Sequence, residues 1–112
     1  MRARPTIRRS PRESRTVDGI TFSSKAEATR YGELVILQRG GKVRMFLLQP
    51  RFELGGATKY TADFEDHWQD GVTTYEDVKG RNAQGTEAWR RFVRNKKQVE
   101  ARYPIAITVV ER

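Results

Sequence analysis

The sequence has no cysteine and a single histidine, His67. Disulfides and thiolate zinc sites are therefore excluded, and so is a histidine-rich metal centre. Any metal must be held mainly by oxygen, which points to a hard ion such as magnesium or manganese. No apolar run approaches the roughly 18 residues that cross a bilayer, and the first residues lack the apolar stretch of a secretory signal. Proline is also scarce, with four residues. Two of them fall in the first fifteen positions, so Pro50 and Pro104 are the breakers left to divide the rest.

What is present is charge on a globular background. Of 112 residues, 37% are hydrophobic and 32% charged, with a net charge of +8, which suits one soluble, compact domain. Residues 1–15, "MRARPTIRRSPRESR", hold six arginines and one glutamate, leaving +3 for the other 97 residues. The expectation is a flexible basic arm over residues 1–17 and a single domain over 18–112. An arm of this kind pairs with a polyanion, most simply nucleic acid, through phosphate contacts by arginines such as Arg8 and Arg9. No membrane partner is expected.

Beyond the arm, Asp18-Gly19 predicts a tight turn between two short extended runs. Ser24 is a good N-cap with Glu27 three residues on, and Ala28, Tyr31, Leu34, Val35 and Leu37 form an apolar stripe. Gly40-Gly41 ends this helix. "KVRMFLLQPRFEL" reads as extended and is divided at Gln49-Pro50. "KYTADFEDHW" and "VTTYEDVKG" predict a hairpin around "QDG". Thr86 caps a second helix to about Arg102, with Trp89, Phe92, Val93, Val99 and Tyr103 inward, and "IAITVV" after Pro104 is a buried strand. The order predicts an α/β (α+β) domain with a mixed sheet flanked by helices, its last strand parallel to its neighbour across the second helix.

The chemistry lies in "TYEDVKG". Strand alternation puts Asp77 and Lys79 on one face and Glu76 on the other. Whether Asp63 meets Asp77 depends on the hairpin register. A two-residue Asp70-Gly71 turn sets Asp63 opposite Val78. A three-residue loop with Gly71 left-handed sets Asp63 opposite Asp77 and Ala62 opposite Val78, which keeps one face apolar near its centre. That pattern also puts Tyr60, Ala62 and Phe64 on one face, with Glu76 opposite Phe64. Two carboxylates paired across strands lie about 4.5–5.5 Å apart at Cβ and repel one another unless a cation intervenes. Lys79 is one such cation and a divalent metal is another. Two carboxylates, waters and a phosphate oxygen complete a magnesium octahedron, and the lysine orients the attacking water and stabilises charge developing on phosphorus. Solvated strand faces carry the same residue types, so the tripeptide D-x-K is weak by itself.

At this point the chain resembles the PD-(D/E)XK nuclease superfamily. The resemblance runs from about Phe22 to Val110 and looks closest to small phage-encoded members, through "F-x-S-x-x-E-A…R-Y…L-Q-P…ADF…EDVKG". The layout is similar to endonuclease-I-type Holliday junction resolvases of phages. The resemblance implies a restriction-endonuclease-like αβββαβ core, with Asp63 as the first acid and Asp77 and Lys79 as the paired acid and lysine. Ala62 stands where the motif has proline. Glu27 matches a glutamate that the family often carries on its first helix, although its place in a capping box accounts for it as well. Gln49 is an accessory candidate through its "QP" pair, and Glu76 is another if the register slips by one.

The expected activity is a magnesium-dependent DNA endonuclease (manganese substituting), with Asp63, Asp77 and Glu27 as metal ligands and Lys79 catalytic. The substrate is DNA, including branched or junction DNA. The protein is expected as a homodimer, because resolving a junction needs two sites, and in the bacterial host cytoplasm. The alternative is a non-catalytic DNA-binding module that keeps the fold. On the second helix, Arg90, Arg91, Arg94 and Lys97 suggest a ridge along phosphates, with Arg90, Arg94 and Lys97 as DNA contacts. The bland reading of the same ridge is a solvated helix face. His67 reads as a polar strand residue, and Trp68 and Trp89 as packing residues.

Overall fold

The computed structural model describes residues 9–112, so Arg8 lies outside the described residues. The fold reaches further toward the N-terminus than expected. A 3-10 turn at Arg12–Arg15 leads into a two-stranded ribbon of β1 (Thr16–Val17) and β2 (Ile20–Thr21). Arg15 donates from Nη1 to the Phe22 carbonyl at 2.6 Å and from Nε to the Ser10 carbonyl at 2.8 Å. Residues 12–17, assigned above to the arm, are thus built into the domain, because Arg15 spends its charge on backbone carbonyls. Asp18 and Gly19 both have positive φ, 53° and 78°, as a two-residue hairpin turn requires.

Helix α1 (Lys25–Arg39) starts where the cap predicts, with Ser24 Oγ accepting the Glu27 N–H at 3.1 Å. Four strands follow: β3 (Val43–Leu48), β4 (Arg51–Gly55), β5 (Thr58–Thr61) and β6 (Phe64–Trp68). β3 pairs with β6 and β4 with β5, and the register continues from Leu48 opposite Phe64 to Arg51 opposite Thr61. The two halves form one long hairpin, broken on both sides at the same level. Pro50 has no N–H to give to a ladder. Gln49 takes φ +53°, while the Gln49 N–H donates to the Asp63 carbonyl and the Ala62 N–H to the Pro50 carbonyl, each at 3.0 Å.

This double break corrects the prediction of one unbroken strand over "KYTADFEDHW". Tyr60 and Ala62 pack in the cluster under the second helix, whereas Phe64 packs under α1. An unbroken strand would keep all three on one face.

β7 (Thr73–Lys79) pairs with β6 in the register that apolar patterning favours. Phe64 is opposite Glu76, Glu65 opposite Tyr75 and His67 opposite Thr73. The loop spans residues 69–71, closed by the Trp68 N–H to Val72 carbonyl bond at 2.9 Å, with Gly71 at φ +91°. Helix α2 (Glu87–Arg102), capped by Thr86 Oγ on the Trp89 N–H, crosses to β8 (Ile107–Glu111), which lies parallel to β7. The sheet order is β3-β6-β7-β8. The core sequence is α1, β3, β6, β7, α2, β8, an αβββαβ order in a mixed sheet flanked by helices.

One core cluster (Phe22, Ala28, Leu34, Val43, Phe64, Val78) lies between α1 and the sheet. The other (Tyr60, Ala62, Phe92, Val99, Ile107) joins α2, the β4–β5 hairpin and the opposite sheet face. Tyr103 ties the end of α2 to the hairpin through its hydroxyl, which donates to the Glu53 carbonyl at 2.7 Å.

Candidate active site

Just before β6 begins, Asp63 turns its side chain across to β7. Its Oδ2 accepts the Val78 N–H at 2.6 Å, and its own N–H donates to the Glu76 carbonyl at 2.8 Å. The regular ladder ends at Phe64 opposite Glu76, so the Asp63 carboxylate, not its backbone carbonyl, takes the next position beside Asp77. On β7, Asp77 is buried. Its Oδ1 is 2.9 Å from Lys79 Nζ, and its Oδ2 accepts the Tyr60 hydroxyl at 2.5 Å. Lys79 Nζ also stands 4.3 Å above the centre of the Phe92 ring, a cation–π contact that fixes the amine from the far side.

Glu27, in the first turn of α1, accepts the Ser23 hydroxyl on Oε1 at 2.5 Å. Glu27, Gln49 and Asp63 share the wall of a pocket of about 170 Å³ with Phe22 and Leu48. A separate cleft of about 200 Å³ holds Asp77 and Lys79 between β5 and α2. The break in the long hairpin therefore sits between two openings, an acidic one and one lined with lysine and arginine.

The electrostatics link the two sides. Burial, and then the charges of Asp77 and Glu27, push the Asp63 carboxyl up to about 8. Burial also raises Glu27, against the Ser23 hydrogen bond that lowers it, and the Asp77 charge adds to the rise. Burial, followed by the Asp77 charge and hydrogen bond, raises the Tyr60 hydroxyl, so Tyr60 serves Asp77 as a neutral donor. Three acids near one lysine repel one another in a poorly solvated place, and added positive charge relieves that repulsion. Among the described residues, no three His, Asp or Glu side chains stand together as a ready set of metal ligands.

The remaining expected residues lie elsewhere. Glu76 faces α1, where Arg30 grips it with Nε at 2.7 Å and Nη2 at 2.6 Å, so it is not available as a ligand in this register. Arg90 points to solvent, paired with Glu87 at 2.8 Å, and Arg94, Lys97 and Arg9 are exposed away from both openings. His67 pairs with Glu65 at 2.6 Å. Trp68 and Trp89 pack in the two cores.

Sequence reasoning missed Tyr60, Lys59, Arg30 and Asp66, and placed Arg91 on the ridge without singling it out. Arg30 was findable, because Glu27, Arg30 and Leu34 follow helical spacing onto the buried face. Tyr60 was hidden by the kink.

The family model described as "Protein of unknown function (DUF1064)" matches residues 12–108. The chain belongs to this family. The DUF1064 match begins at the 3-10 turn and takes in Glu27, Gln49, Asp63, Asp77 and Lys79 together with both helices. No curated protein and no solved structure matches the chain.

Proposed function

We propose that this domain is a magnesium-dependent DNA endonuclease that hydrolyses phosphodiester bonds. The observation that carries the reading is that Asp63 and the Lys79-paired Asp77 lie side by side at the double break, where burial and then the charges of Asp77 and Glu27 raise the Asp63 carboxyl. The donor set suits a hard ion. Asp63 and Glu27 share one pocket wall, and each commits one oxygen, Oδ2 and Oε1, to the protein hydrogen bonds just described. Asp63, Glu27 and Asp77 are the residues that would hold the ion. Bound magnesium supplies charge neutralisation at the phosphate and a more acidic water.

The chain's own part is positioning and electrostatics. Lys79, steadied by Asp77 and Phe92, presents an ammonium to the phosphate oxygens and to the attacking water. Tyr60 holds Asp77 from behind. Phe22 and Leu48 line the pocket and shield the acids from bulk water. The basic residues outside the core favour a polyanionic substrate, with branched DNA and a homodimer as the finer form of the proposal. A host-cytoplasmic setting belongs to that same finer form.

One observation favours a second reading, a DNA-binding module without catalysis. Both Asp77 oxygens are already engaged, by Lys79 and Tyr60, so ligation requires one of them to let go.

The test offers linear, supercoiled and four-way-junction DNA to the wild type, Asp77→Ala and Lys79→Ala, with and without magnesium. Expected is magnesium-dependent cutting that falls by 100-fold or more in each variant, on the order seen for loss of a transition-state charge contact, with DNA binding largely kept. Binding without cutting in any arm supports the second reading. Cutting at the wild-type rate by either variant removes the site.

A further inference from the structure

The cleft between β5 and α2 is not explained by metal chemistry. Three cationic side chains enter it from three elements: Lys59 from β5, Lys79 from β7 and Arg91 from α2, with Asn95 one helical turn beyond Arg91. Its one carboxylate, Asp77, already has both oxygens engaged. Neither Lys59 nor Arg91 forms an ion pair with an acid among the described residues, whereas Arg90, the next residue along α2, is paired with Glu87. Lysine and arginine side chains that line one concavity without an acid partner repel one another, and an anion between them reverses that cost. A guanidinium and an amide from α2 and an ammonium from β5 suit a tetrahedral oxyanion carrying several acceptor oxygens.

We propose that this cleft binds one phosphodiester group of a nucleic-acid strand, held by Lys59 and Arg91 with Asn95 as a neutral donor. The inference rests on the nuclease reading in one respect only. Lys79 and Asp77 line this cleft while Asp63 and Glu27 line the pocket on the other side of the break, so the phosphate held here is the neighbour of the one to be cut. The cleft thereby sets the register of the strand and moves the main phosphate contact on α2 from the exposed Arg90 and Arg94 to Arg91. The helix and the β4–β5 hairpin act as two jaws, and Tyr103 on Glu53 keeps their spacing.

The experiment measures binding of a labelled DNA oligonucleotide to the full chain by fluorescence anisotropy over a range of salt, with chelator present so that no cleavage is needed. Lys59→Ala, Arg91→Ala and the double variant are compared with Arg39→Ala as a surface control. Lys59 and Arg91 are exposed, so the fold survives, and a thermal melt verifies it. Each single variant should weaken binding and lower the slope of log K against log salt by about one, while the control leaves it unchanged.

A second arm replaces single phosphates by neutral methylphosphonate. One position should weaken the wild type but not the double variant, since the partner is already gone. Competition by inorganic phosphate at fixed ionic strength, strong in the wild type and absent in the double variant, would instead make the cleft a site for free phosphate and overturn the strand assignment. Unchanged affinity and slope in the double variant overturn the proposal outright. Loss of binding without any metal-dependent cutting leaves the cleft standing and sinks the nuclease reading alone. Cutting with unaltered binding does the reverse.

Discussion

Strands β6 and β7 carry two acidic pairs, back to back. Asp66 and Glu76 face α1 and are 0% and 2% exposed. Asp63 and Asp77 lie a few residues away, at the break, beside the two surface openings. The first pair is closed by the protein itself. Arg30, its side chain 11% exposed, chelates Glu76 with two nitrogens, and Thr74 donates to Asp66 Oδ2 at 3.1 Å while accepting from the Trp68 indole. The second pair receives one backbone N–H, one tyrosine and one lysine, and a third acid, Glu27, adds to its charge. Burial and like charge are common to both. What differs is whether a buried guanidinium answers them. The pair with its own arginine is completed by that guanidinium and a proton, and the pair without one is suited to take a cation or a phosphate complex from solution.

The sharpest way to break this contrast is to remove charge from each cluster. Arg30→Met leaves Glu76 buried and unpaired beside Asp66, and the expected cost is about 3–5 kcal/mol, read from the midpoint of urea unfolding. Asp63→Asn acts in the opposite direction. It keeps an acceptor for the Val78 N–H and, above about pH 8 where Asp63 is ionised, removes the charge that Asp77 and Glu27 oppose, so there the metal-free protein should gain about 1 kcal/mol while cleavage is lost. Magnesium sharpens the same point. At a concentration 100-fold above its dissociation constant it should stabilise the wild type by about 2.7 kcal/mol, with the gain collapsing in Asp63→Asn and surviving in Asp66→Asn. A midpoint that magnesium shifts equally in all three proteins would mean the ion does not bind at the break.

Much of this contrast can be read in the chain. The three-residue loop, the β6–β7 register with Phe64 opposite Glu76, the Ser24 and Thr86 caps and the inward side of α2 all follow from period-2 and period-3.6 patterning with local turn chemistry. Glu76 opposite Phe64 also follows from the register, but the reason a carboxylate can be buried there does not, because its partner comes from 46 residues earlier on α1. Alternation alone cannot name a long-range ion pair. The kink at Ala62 was invisible for a related reason. Its cause is Pro50, in the strand alongside, and a break imposed by a neighbour leaves no mark in the broken segment. With the kink unseen, Tyr60 stayed on the wrong face and the cleft with Lys59 and Arg91 could not be assembled. Arg90 and Arg94 stood out on charge alone, which does not say which way a helix is turned.

The closed cluster also makes a pH signature of the same sign as the open one, but one that a partner on the same sheet face sets. Burial, then the hydrogen bond and charge of Glu76, push the Asp66 carboxyl up to about 8, against a value near 4 for an unfolded aspartate. Its Oδ1 is buried without a donor among the described residues. A proton on Asp66 turns its contact with Glu76 into a hydrogen bond, so the folded chain holds that proton where the unfolded chain releases it. Glu76 responds in the other direction. Burial raises it, but the hydrogen bonds from Arg30 and Asp66 outweigh that, and it stays below the usual range. For Asp66 the folded state binds more protons between about pH 4 and pH 8, so its contribution is complete at the acidic end and lost as pH rises through 8. Asp66→Asn offers Glu76 a permanent N–H donor in place of the acid proton. The wild-type melting temperature should therefore fall from pH 5 to pH 8.5, and Asp66→Asn should fall less and be the more stable protein at pH 8.5. Parallel curves for the two proteins would mean that Asp66 is ionised throughout, and that the cluster under α1 is as short of positive charge as the one at the break.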